Sequence, residues 1–489
     1  MKNESALPVA VIGAGPIGLA AAANLLGRGI EVRVFESSAS IAANFDSFRH
    51  VQLFSPWRYN IDPAARRMLE AAGWKEPALE QLPTAGAMID EYLAPLAGLP
   101  RVKAALHLSH RVLDVARVGF DKVKSAGRED APFAIRCSTR EGIREYRASA
   151  VIDASGTWGQ PNPLGANGLP AIGESAAAAQ IAYGMPDILG RDRARYAGKR
   201  VLVAGAGHSA AGDLLALAKL AEEAPGTQIV WTIRGQNFTR IFGGGENDGL
   251  PARGALGHRL KALSESGRLE LQASFRAEEV RKADGKLTVL GHGVDGAERS
   301  IGGLDEIIVA AGGRPDLALA SELRLKLDSW LESTEQLAPL IDPNVHSCGT
   351  VRPHGHRELA HPEARFYMVG AKSYGRAPNF LLATGHEQVR SVVAALAGDL
   401  AAADDVRLEL PETGVCSTQF DEASSGCCDG SAVEPVAMAL PATAASCCGG
   451  PPVKRADACC VTDEVIKESG GAGCGSAASK AKAGAGSCR

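Results

Sequence analysis

The sequence is poor in cysteine over most of its length, because only Cys137 and Cys348 of its eleven cysteines precede residue 416. A secreted disulfide scaffold distributes its cysteines through the fold, so the pattern excludes that class and favours a reducing, cytoplasmic setting. Aromatic residues make up only 5% of the chain, and the net charge is −4. Runs of lysine and arginine that neutralise phosphates are lacking, so we expect no nucleic-acid partner.

Long hydrophobic runs are also scarce. The stretch LPVAVIGAGPIGLAAAANLLG, residues 7–27, is apolar enough to imitate a membrane span or a signal peptide. The residues before it carry one lysine and one glutamate, so the basic region typical of a signal peptide is weak. Its regularly placed glycines favour a strand, a turn and a helix instead. We therefore predict a soluble, cytoplasmic protein with no membrane contact.

The chain does contain a dinucleotide-binding pattern near its start. The strand PVAVIG is followed by a glycine turn, an alanine-rich helix and a second strand, EVRVFE, which ends at Glu36. The glycines let the backbone approach a pyrophosphate at the helix N-terminus. Glu36 lies 18 residues after the last glycine, where a carboxylate can accept from ribose hydroxyls. The unit predicts an FAD site that comprises Gly13, Gly15, Pro16, Gly18 and Glu36.

A second unit of the same kind spans residues 198–221. Its strand leads into a turn that begins at Gly205, and the next strand, QIVWTIRG, ends near Arg234 instead of an acid. An arginine there can hold the 2′-phosphate of NADPH, which a carboxylate would repel; a solvated strand end is the alternative. His208, inside the turn, either lines the pyrophosphate or fills space. We expect NADPH to bind at Gly205, Gly207, His208, Ser209 and Arg234.

Together with two small-residue turns, in VIDASGTWGQP (151–161) and DEIIVAAGGRPD (305–316), these units resemble flavoproteins with two dinucleotide-binding domains. The resemblance is to class B flavin-dependent monooxygenases and their bacterial relatives, and it covers roughly residues 8–400. It implies an α/β fold with two Rossmann-like domains, in which the small-residue turns mark the crossings between domains.

The implied domains are an FAD-binding domain of residues 1–159 and 301–405, an inserted NADP-binding domain of residues 160–300, and a flexible cysteine-rich tail of residues 411–489.

Two further stretches are similar to a narrower group, the flavin monooxygenases of arsenic-resistance operons. They are RHVQLFSPWRYNID (49–62) and FYMVGAKSYGRAPNFLLATGHEQVRSVVAALAG (366–398). This resemblance implies that NADPH reduces FAD, that O₂ adds to the reduced flavin, and that a flavin hydroperoxide passes one oxygen atom to a trivalent arsenical. The chain departs from class B enzymes before its second glycine turn, where it lacks their Phe-x-Gly triplet and histidine. Handling of NADP⁺ and the usual amine and sulfide substrates need not carry over.

The resemblance also implies flavin contacts outside the first glycine turn. The late helix would aim its positive N-terminal end at the flavin pyrimidine, where reduced flavin carries negative charge. In the segment 49–62, aromatic and polar residues would line the substrate cavity, although core packing alone explains the aromatic ones. The additional flavin contacts are Ala154, Ser155, Gly156, Gly370 and Thr384, and the cavity candidates are Phe54, Ser55, Trp57, Arg58 and Cys348.

A disulfide reductase of this general fold carries a cysteine pair near its flavin, and Cys137 has no cysteine nearby in sequence. The core is therefore expected to activate oxygen or to oxidise NADPH without a substrate. The segment CGTVRPHGHRELAHPE (348–363) clusters histidines with Cys348, which is compatible with a metal or metalloid site. A surface loop with hydrogen-bonding histidines is the favoured interpretation of that segment.

From about residue 411 the sequence turns to alanine, glycine, serine, proline and cysteine, a composition that does not offset its ordering entropy. Six of the nine cysteines here form three adjacent pairs, which do not have the spacing of zinc or iron–sulfur ligands. Thiolates prefer soft ions such as trivalent arsenic and antimony, so we expect the tail to capture or deliver the substrate, or else to protect non-specifically. The proposed metalloid thiols are Cys427, Cys428, Cys447, Cys448, Cys459 and Cys460.

The leading hypothesis is an FAD- and NADPH-dependent monooxygenase that uses O₂ to oxidise arsenite, methylarsenite or antimonite to the pentavalent form, for metalloid detoxification. The first alternative is a flavin monooxygenase of an organic amine or sulfur compound. The second is a metalloid-binding or chaperone flavoprotein. Both glycine turns are intact, which weighs against the last, because a scaffold without catalysis need not keep two phosphate-binding turns.

Overall fold

The structure of the chain is a computed structural model that describes residues 7–236, 238, 242, 250–345, 351–378, 380–407 and 467–469. It divides into two units, Met1–Glu422 and Ala423–Arg489, and only residues 467–469 of the second unit are described. Cys348 and all the cysteines of the predicted tail lie outside the described residues.

The described strands are, in chain order, β1 (Val9–Ile12), β2 (Val32–Phe35), β3 (Leu106–His107), β4 (Arg111–Arg117), β5 (Phe133–Thr139), β6 (Gly142–Ala148), β7 (Ala150–Asp153), β8 (Ile181–Tyr183), β9 (Arg200–Ala204), β10 (Gln228–Thr232), β11 (Glu270–Gln272), β12 (Arg276–Ala283), β13 (Lys286–His292), β14 (Glu298–Leu304), β15 (Glu306–Val309) and β16 (Phe366–Met368).

The described α-helices are α1 (Pro16–Gly27), α2 (Ala43–Ser47), α3 (Trp57–Asn60), α4 (Pro63–Ala71), α5 (Ala85–Ala87), α6 (Ala94–Gly98), α7 (Pro100–Ala105), α8 (Arg193–Tyr196), α9 (His208–Glu223), α10 (Pro251–Glu265), α11 (Ala338–Ile341), α12 (Leu382–Leu396) and α13 (Leu400–Asp404). A π-helical stretch (Met88–Leu93) joins α5 to α6, and short 3₁₀ turns occupy Ala178–Gln180, Ala318–Ala320 and Gly370–Tyr374.

The first parallel sheet has the strand order β16-β7-β1-β2-β3. Its central strands are short apolar runs, and all four residues of β1 and all four of β7 are buried. Such runs belong to sheets covered on both faces. Helices α1 and α12 pack against each other in the core on one face, and the antiparallel sheet β4-β5-β6 contributes Phe133 and Ile135 to the core on the other.

The second parallel sheet has the order β11-β10-β9-β15-β8. Helices α9 and α10 pack together over one face, and the antiparallel sheet β12-β13-β14 covers the other. Strand β15 pairs with β9 from Glu306 to Val309, so this sheet continues beyond residue 300, where the family resemblance places the end of the NADP-binding domain. The chain returns to the first sheet at β16.

The α/β fold with two Rossmann-like sheets is therefore confirmed for the described residues. Each sheet has a glycine turn after its central strand, β1 or β9, followed by a long helix. None of the helices within the described residues combines the length and apolar character needed to cross a lipid bilayer.

Candidate active site

One cavity of about 1100 Å³ brings together the carboxyl ends of strands in both parallel sheets. Its walls include Ile12 at the end of β1, Glu36 directly after β2 and Ala154 directly after β7. His208, the first residue of α9, belongs to the same wall on the side of the second sheet. Ligands of open parallel sheets bind at this edge, so the cavity is the candidate active site.

The first glycine turn leaves room for a phosphate. Gly15 lines the cavity, and a Cβ there would meet no protein atom within 4 Å. Gly18 differs, because its Cβ would overlap the carbonyl oxygen of Gly13, so only glycine lets α1 cross this turn so closely. Helix α1 begins with Pro16, has no side-chain cap and has no acid in its first turn. Its N-terminal N–H groups are thus available to an anion, as FAD requires.

Glu36 closes the other end of this first site. It is 9% exposed and lines the cavity. One carboxylate oxygen accepts from the Ala14 amide at 2.8 Å, and the other accepts from the Ser38 amide at 2.8 Å. The Ser37 hydroxyl also donates to the oxygen that Ser38 binds, at 3.2 Å. These bonds hold the carboxylate at the wall, and the oxygen bound by Ala14 retains a lone pair that can accept from a ribose hydroxyl.

A buried ion pair supports the segment that follows β7. The Lys372 ammonium donates to Asp153 Oδ2 at 2.6 Å and to Ser155 Oγ at 2.9 Å. Asp153 Oδ1 accepts from the Ser155 hydroxyl at 2.7 Å and from its amide at 3.1 Å. The Lys372 and Asp153 side chains are 1% and 0% exposed. Ser155 and Gly156 line the cavity, so this pair fixes part of the wall from behind.

The two predicted crossings lie side by side. The amide of Asn162 donates to the Gly312 carbonyl at 2.9 Å, and the amide of Arg314 donates to the Gln160 carbonyl at 2.9 Å. A side-chain bond from the Arg314 guanidinium to Asn162 Oδ1, at 3.1 Å, adds to this pairing. The two connections between the sheets therefore form one short ribbon next to the cavity, which Gln160 also lines.

The second glycine turn repeats the geometry of the first. A Cβ at Gly205 would overlap the carbonyl oxygen of Ala310, so the turn packs tightly on the end of β15. Helix α9 has no side-chain cap and no acid in its first turn. His208 and Ser209 line the cavity.

Three of the residues predicted to bind NADPH lie outside the described cavity lining: Gly205, Gly207 and Arg234. Gly207 caps α9 in an extended conformation, and a Cβ there would meet no atom within 4 Å. Arg234 is exposed after β10 and donates to the Ala166 carbonyl at 3.1 Å. The backbone of the turn therefore fits a pyrophosphate, while the guanidinium is available from solvent.

The segment 49–62 divides between cavity and core. Phe54 and Ser55 line the cavity, and the Phe54 ring meets the His208 ring edge-on with centroids 5.0 Å apart. Trp57 and Arg58 were predicted to line it as well, but Trp57 is 3% exposed within the first core, and Arg58 pairs with Glu80 at the surface. Core packing explains the burial of Trp57, because Trp57 is the first residue of a short helix and its side chain packs into the core.

The late helix reaches the cavity through its first residues. Leu381 and Leu382 line it, as does Gly370, whereas Thr384 is 1% exposed and does not. The Gly370 amide donates to Gln388 Oε1 at 2.8 Å, which fixes the turn before α12. The residues at the helix start, and not Thr384, therefore line the site.

The histidines of the segment 348–363 bind separate partners. His354 is buried with Nε2 at 3.0 Å from Gln388 Nε2, and His356 Nε2 lies 2.8 Å from Asp404. Burial lowers the pKa of His361 to about 4. His354 and His361 are buried, so they do not belong to a surface loop as the favoured interpretation expects. Among the described residues, which do not include Cys348, no group of side chains is arranged to hold a metal ion.

The sequence analysis did not identify two residues that line the cavity, Trp158 and Asp213, or Lys372, which supports the cavity wall from behind. Trp158 follows the first crossing, lines the cavity and packs on Phe48 with ring centroids 4.7 Å apart. Its place directly after a small-residue turn was the one available signal. Asp213 and Lys372 stand in ordinary helical contexts, and only the fold reveals their burial.

A sequence profile of the pyridine nucleotide-disulphide oxidoreductase family matches residues 10–349, so the chain belongs to this family. It is an FAD-dependent oxidoreductase that works with a pyridine nucleotide, as predicted. A search of functionally curated proteins gave no match.

Solved structures share the fold at low identity. Bacillithiol disulfide reductase Bdr (YpdA) from Bacillus cereus is 18% identical, with a TM-score of 0.58, over 81% of this chain and 99% of that one. The ornithine N-hydroxylase of Kutzneria sp. 744 is 15% identical, with a TM-score of 0.55, over 81% and 99%. The FAD-bound cadaverine monooxygenase DfoA from Erwinia amylovora is 12% identical, with a TM-score of 0.57, over 87% and 100%.

Proposed function

We propose that the chain is an NADPH- and FAD-dependent monooxygenase that oxidises a trivalent arsenical or antimonial to the pentavalent form. One observation carries the proposal: the described residues of this disulphide oxidoreductase family member contain no thiol pair. Cys137 is the one cysteine among residues 1–347 and is fully buried in β5, away from the cavity lining. Burial raises the pKa of Cys137 to about 12, which keeps its sulfur protonated and unreactive. O₂ is therefore the proposed electron acceptor.

The proposed reaction balances with arsenite as substrate. NADPH, H⁺, O₂ and As(OH)₃ give NADP⁺, H₂O and AsO(OH)₃. The arsenic lone pair forms the new As–O bond, the O–O bond breaks, and the second oxygen atom leaves as water. Bound FAD would supply the chemistry that accepts a hydride from NADPH and activates O₂.

The chain's own residues bind, orient and exclude water in this proposal. Helix α1 and Glu36 would hold the adenosine diphosphate part of FAD, and Ser155 and Gly370 would contact the remainder. The start of α9 would bind the pyrophosphate of NADPH, with Arg234 on its 2′-phosphate. Phe54 and Ser55 are the proposed substrate-cavity residues that also line the described cavity.

The domain limits and the tail complete the proposal. Residues 1–159 and 301–405 would form the FAD-binding part and residues 160–300 the NADP-binding part, with the second sheet continuing to Val309. The cysteine pairs of residues 411–489 would capture the thiophilic substrate and raise its concentration near the cavity. The narrower similarity to arsenic-resistance monooxygenases supports this substrate over others.

The deciding experiment measures NADPH oxidation by the FAD-loaded chain in air, with and without arsenite, methylarsenite or antimonite. Product oxidation state and hydrogen peroxide are quantified together. We expect substrate-stimulated oxidation with one pentavalent product per NADPH and little peroxide. An anaerobic sample, in which NADPH reduces the flavin without forming pentavalent product, is the control.

A result without metalloid stimulation would favour a different substrate. Reduction of the flavin by NADPH with no stimulation by any of the three metalloids would refute the metalloid substrate. Ornithine and cadaverine would then be tested first, because two enzymes that share this fold are named as acting on those amines.

A further inference from the structure

The cavity extends beyond the two glycine turns into a side chamber. We define the side chamber as the part bounded by α9, by α10 and by residues 185–189. Its walls include the apolar residues Ile188, Ala216 and Leu256, together with Arg253 and Arg259 of α10. None of these residues belongs to a glycine turn, although Ala216 lies on α9, the helix that follows the second turn.

One polar side chain of the chamber wall is anomalous. Asp213 lies on α9, is 3% exposed and lines the cavity. Its Oδ2 atom is buried and has no hydrogen-bond partner among the described residues. A buried polar atom without a partner costs free energy, and most such atoms in native proteins are satisfied by protein, water or ligand. A carboxyl group in this position is therefore suited to a ligand in the chamber.

We infer that the side chamber binds the trivalent substrate as a neutral hydroxide, and that Asp213 hydrogen-bonds one of its hydroxyl groups. The inference rests on the proposed function and names the site and form in which the substrate binds. Asp213 is a specificity-determining residue here, because it distinguishes a hydroxylated molecule from an apolar one of the same size.

The chemistry of both partners supports this assignment. Arsenite is a weak acid that is present at neutral pH as uncharged As(OH)₃, so apolar walls such as Ile188 do not exclude it. Burial raises the pKa of Asp213 well above its usual range, which favours the neutral acid. A neutral carboxyl group offers one donor and two acceptors, and an As–OH group both donates and accepts.

The position of the chamber fits the reaction. Asp213 and Gly370, the turn proposed to contact the flavin, belong to the lining of one continuous cavity. The side chamber and the proposed flavin position therefore share one cavity. The hydroxyl of Tyr196 is also buried without a partner, but Tyr196 is not part of the described cavity lining.

The test compares Asp213→Leu, Asp213→Asn and Tyr196→Phe in the full, FAD-loaded chain. The leucine variant should raise the KM for arsenite about three- to tenfold, the effect of one hydrogen bond. The KM for NADPH and the anaerobic rate of flavin reduction should stay unchanged. Asparagine keeps a donor and an acceptor, so its KM should lie between those of wild type and leucine. Tyr196→Phe, the matched control, should leave the arsenite KM unchanged.

Several outcomes would overturn the inference. If the arsenite KM of Asp213→Leu is unchanged, the inference is wrong, but the proposed function still stands. The same conclusion follows if the KM values for arsenite and NADPH rise in parallel. A wild-type enzyme that no metalloid stimulates would overturn both. If the leucine variant does not fold, hydrogen–deuterium exchange of the wild type, measured with and without arsenite, tests the inference instead. Arsenite should slow exchange in 212–216, and no protection there would count against the chamber.

Discussion

Replacement of Lys372 by methionine should destabilise the protein and release its flavin. Methionine keeps much of the length of the lysine side chain but leaves the Asp153 carboxylate, which is 0% exposed, without its ammonium partner. Removal of one member of a buried pair typically costs about 3–5 kcal/mol, because the remaining charge stays buried. The Ser155 hydroxyl also loses a donor 2.9 Å away, so the cavity wall that it forms should loosen.

The assay is urea unfolding of the FAD-loaded chain, followed by far-ultraviolet circular dichroism and by flavin fluorescence. The double variant Asp153→Asn/Lys372→Met removes both charges, so it should be more stable than Lys372→Met alone. Lys326→Met is the matched control, since Lys326 pairs with Glu335 where both side chains are largely exposed. The reasoning is refuted if the two lysine variants lose equal stability, or if the double variant is the least stable of all.

Three further predictions concern the first turn, a buried acid and the tail. Gly18→Ala should abolish flavin binding because its Cβ would overlap the Gly13 carbonyl, whereas Gly27→Ala, with no atom within 4 Å, should retain flavin absorbance. Burial raises the pKa of the Asp62 carboxyl group from 3.8 to about 6. The folded state therefore binds the carboxyl proton more tightly than the unfolded state does, and the free energy of unfolding falls as the pH rises through about 6. Urea unfolding should show that the wild type loses about 1.4 kcal/mol of unfolding free energy relative to Asp62→Asn between about pH 5 and about pH 7.5. A difference in unfolding free energy between the two proteins that does not change with pH would contradict this. Replacement of the paired cysteines by serine should raise the arsenite concentration for half-maximal NADPH oxidation roughly tenfold or more without changing kcat. If that arsenite concentration is unchanged, the tail does not deliver substrate to the cavity. The six replaced residues are Cys427, Cys428, Cys447, Cys448, Cys459 and Cys460.

The parts of the fold that were predictable are those encoded within about thirty consecutive residues. The turn at Gly13 and the acid at Glu36 belong to one strand–helix–strand unit, so their spacing alone places them at one sheet edge. The turn at Gly205 repeats that unit, and its neighbours His208 and Ser209 line the cavity. Local patterns carry this information because the backbone, not a distant side chain, builds the phosphate site.

The features that could not be predicted depend on distant partners or on side-chain direction. Lys372 meets Asp153 across 219 positions of sequence, and no local pattern pairs them. Trp57 and Arg58 are close in sequence to the cavity residue Phe54, yet the short helix that begins at Trp57 turns one inward and the other to solvent. Helical periodicity identifies such faces only when the helix is longer than a single turn.

The geometry also bears on how electrons pass between the two dinucleotides. Phe54 lies between β2 and β3 of the first sheet along the chain, yet its ring contacts His208 at the second glycine turn. The crossings pair through Asn162 and Gly312, and the first of them begins at the buried Asp153–Lys372 pair. A change in the distance between the glycine turns must therefore strain the ribbon of crossings or separate Phe54 from His208. The ribbon is held by backbone hydrogen bonds, whereas Phe54 meets His208 and the core around the second sheet through its side chain alone. The side-chain contact is therefore the weaker constraint. Movement of the NADPH site relative to FAD should accordingly begin with separation of those two rings.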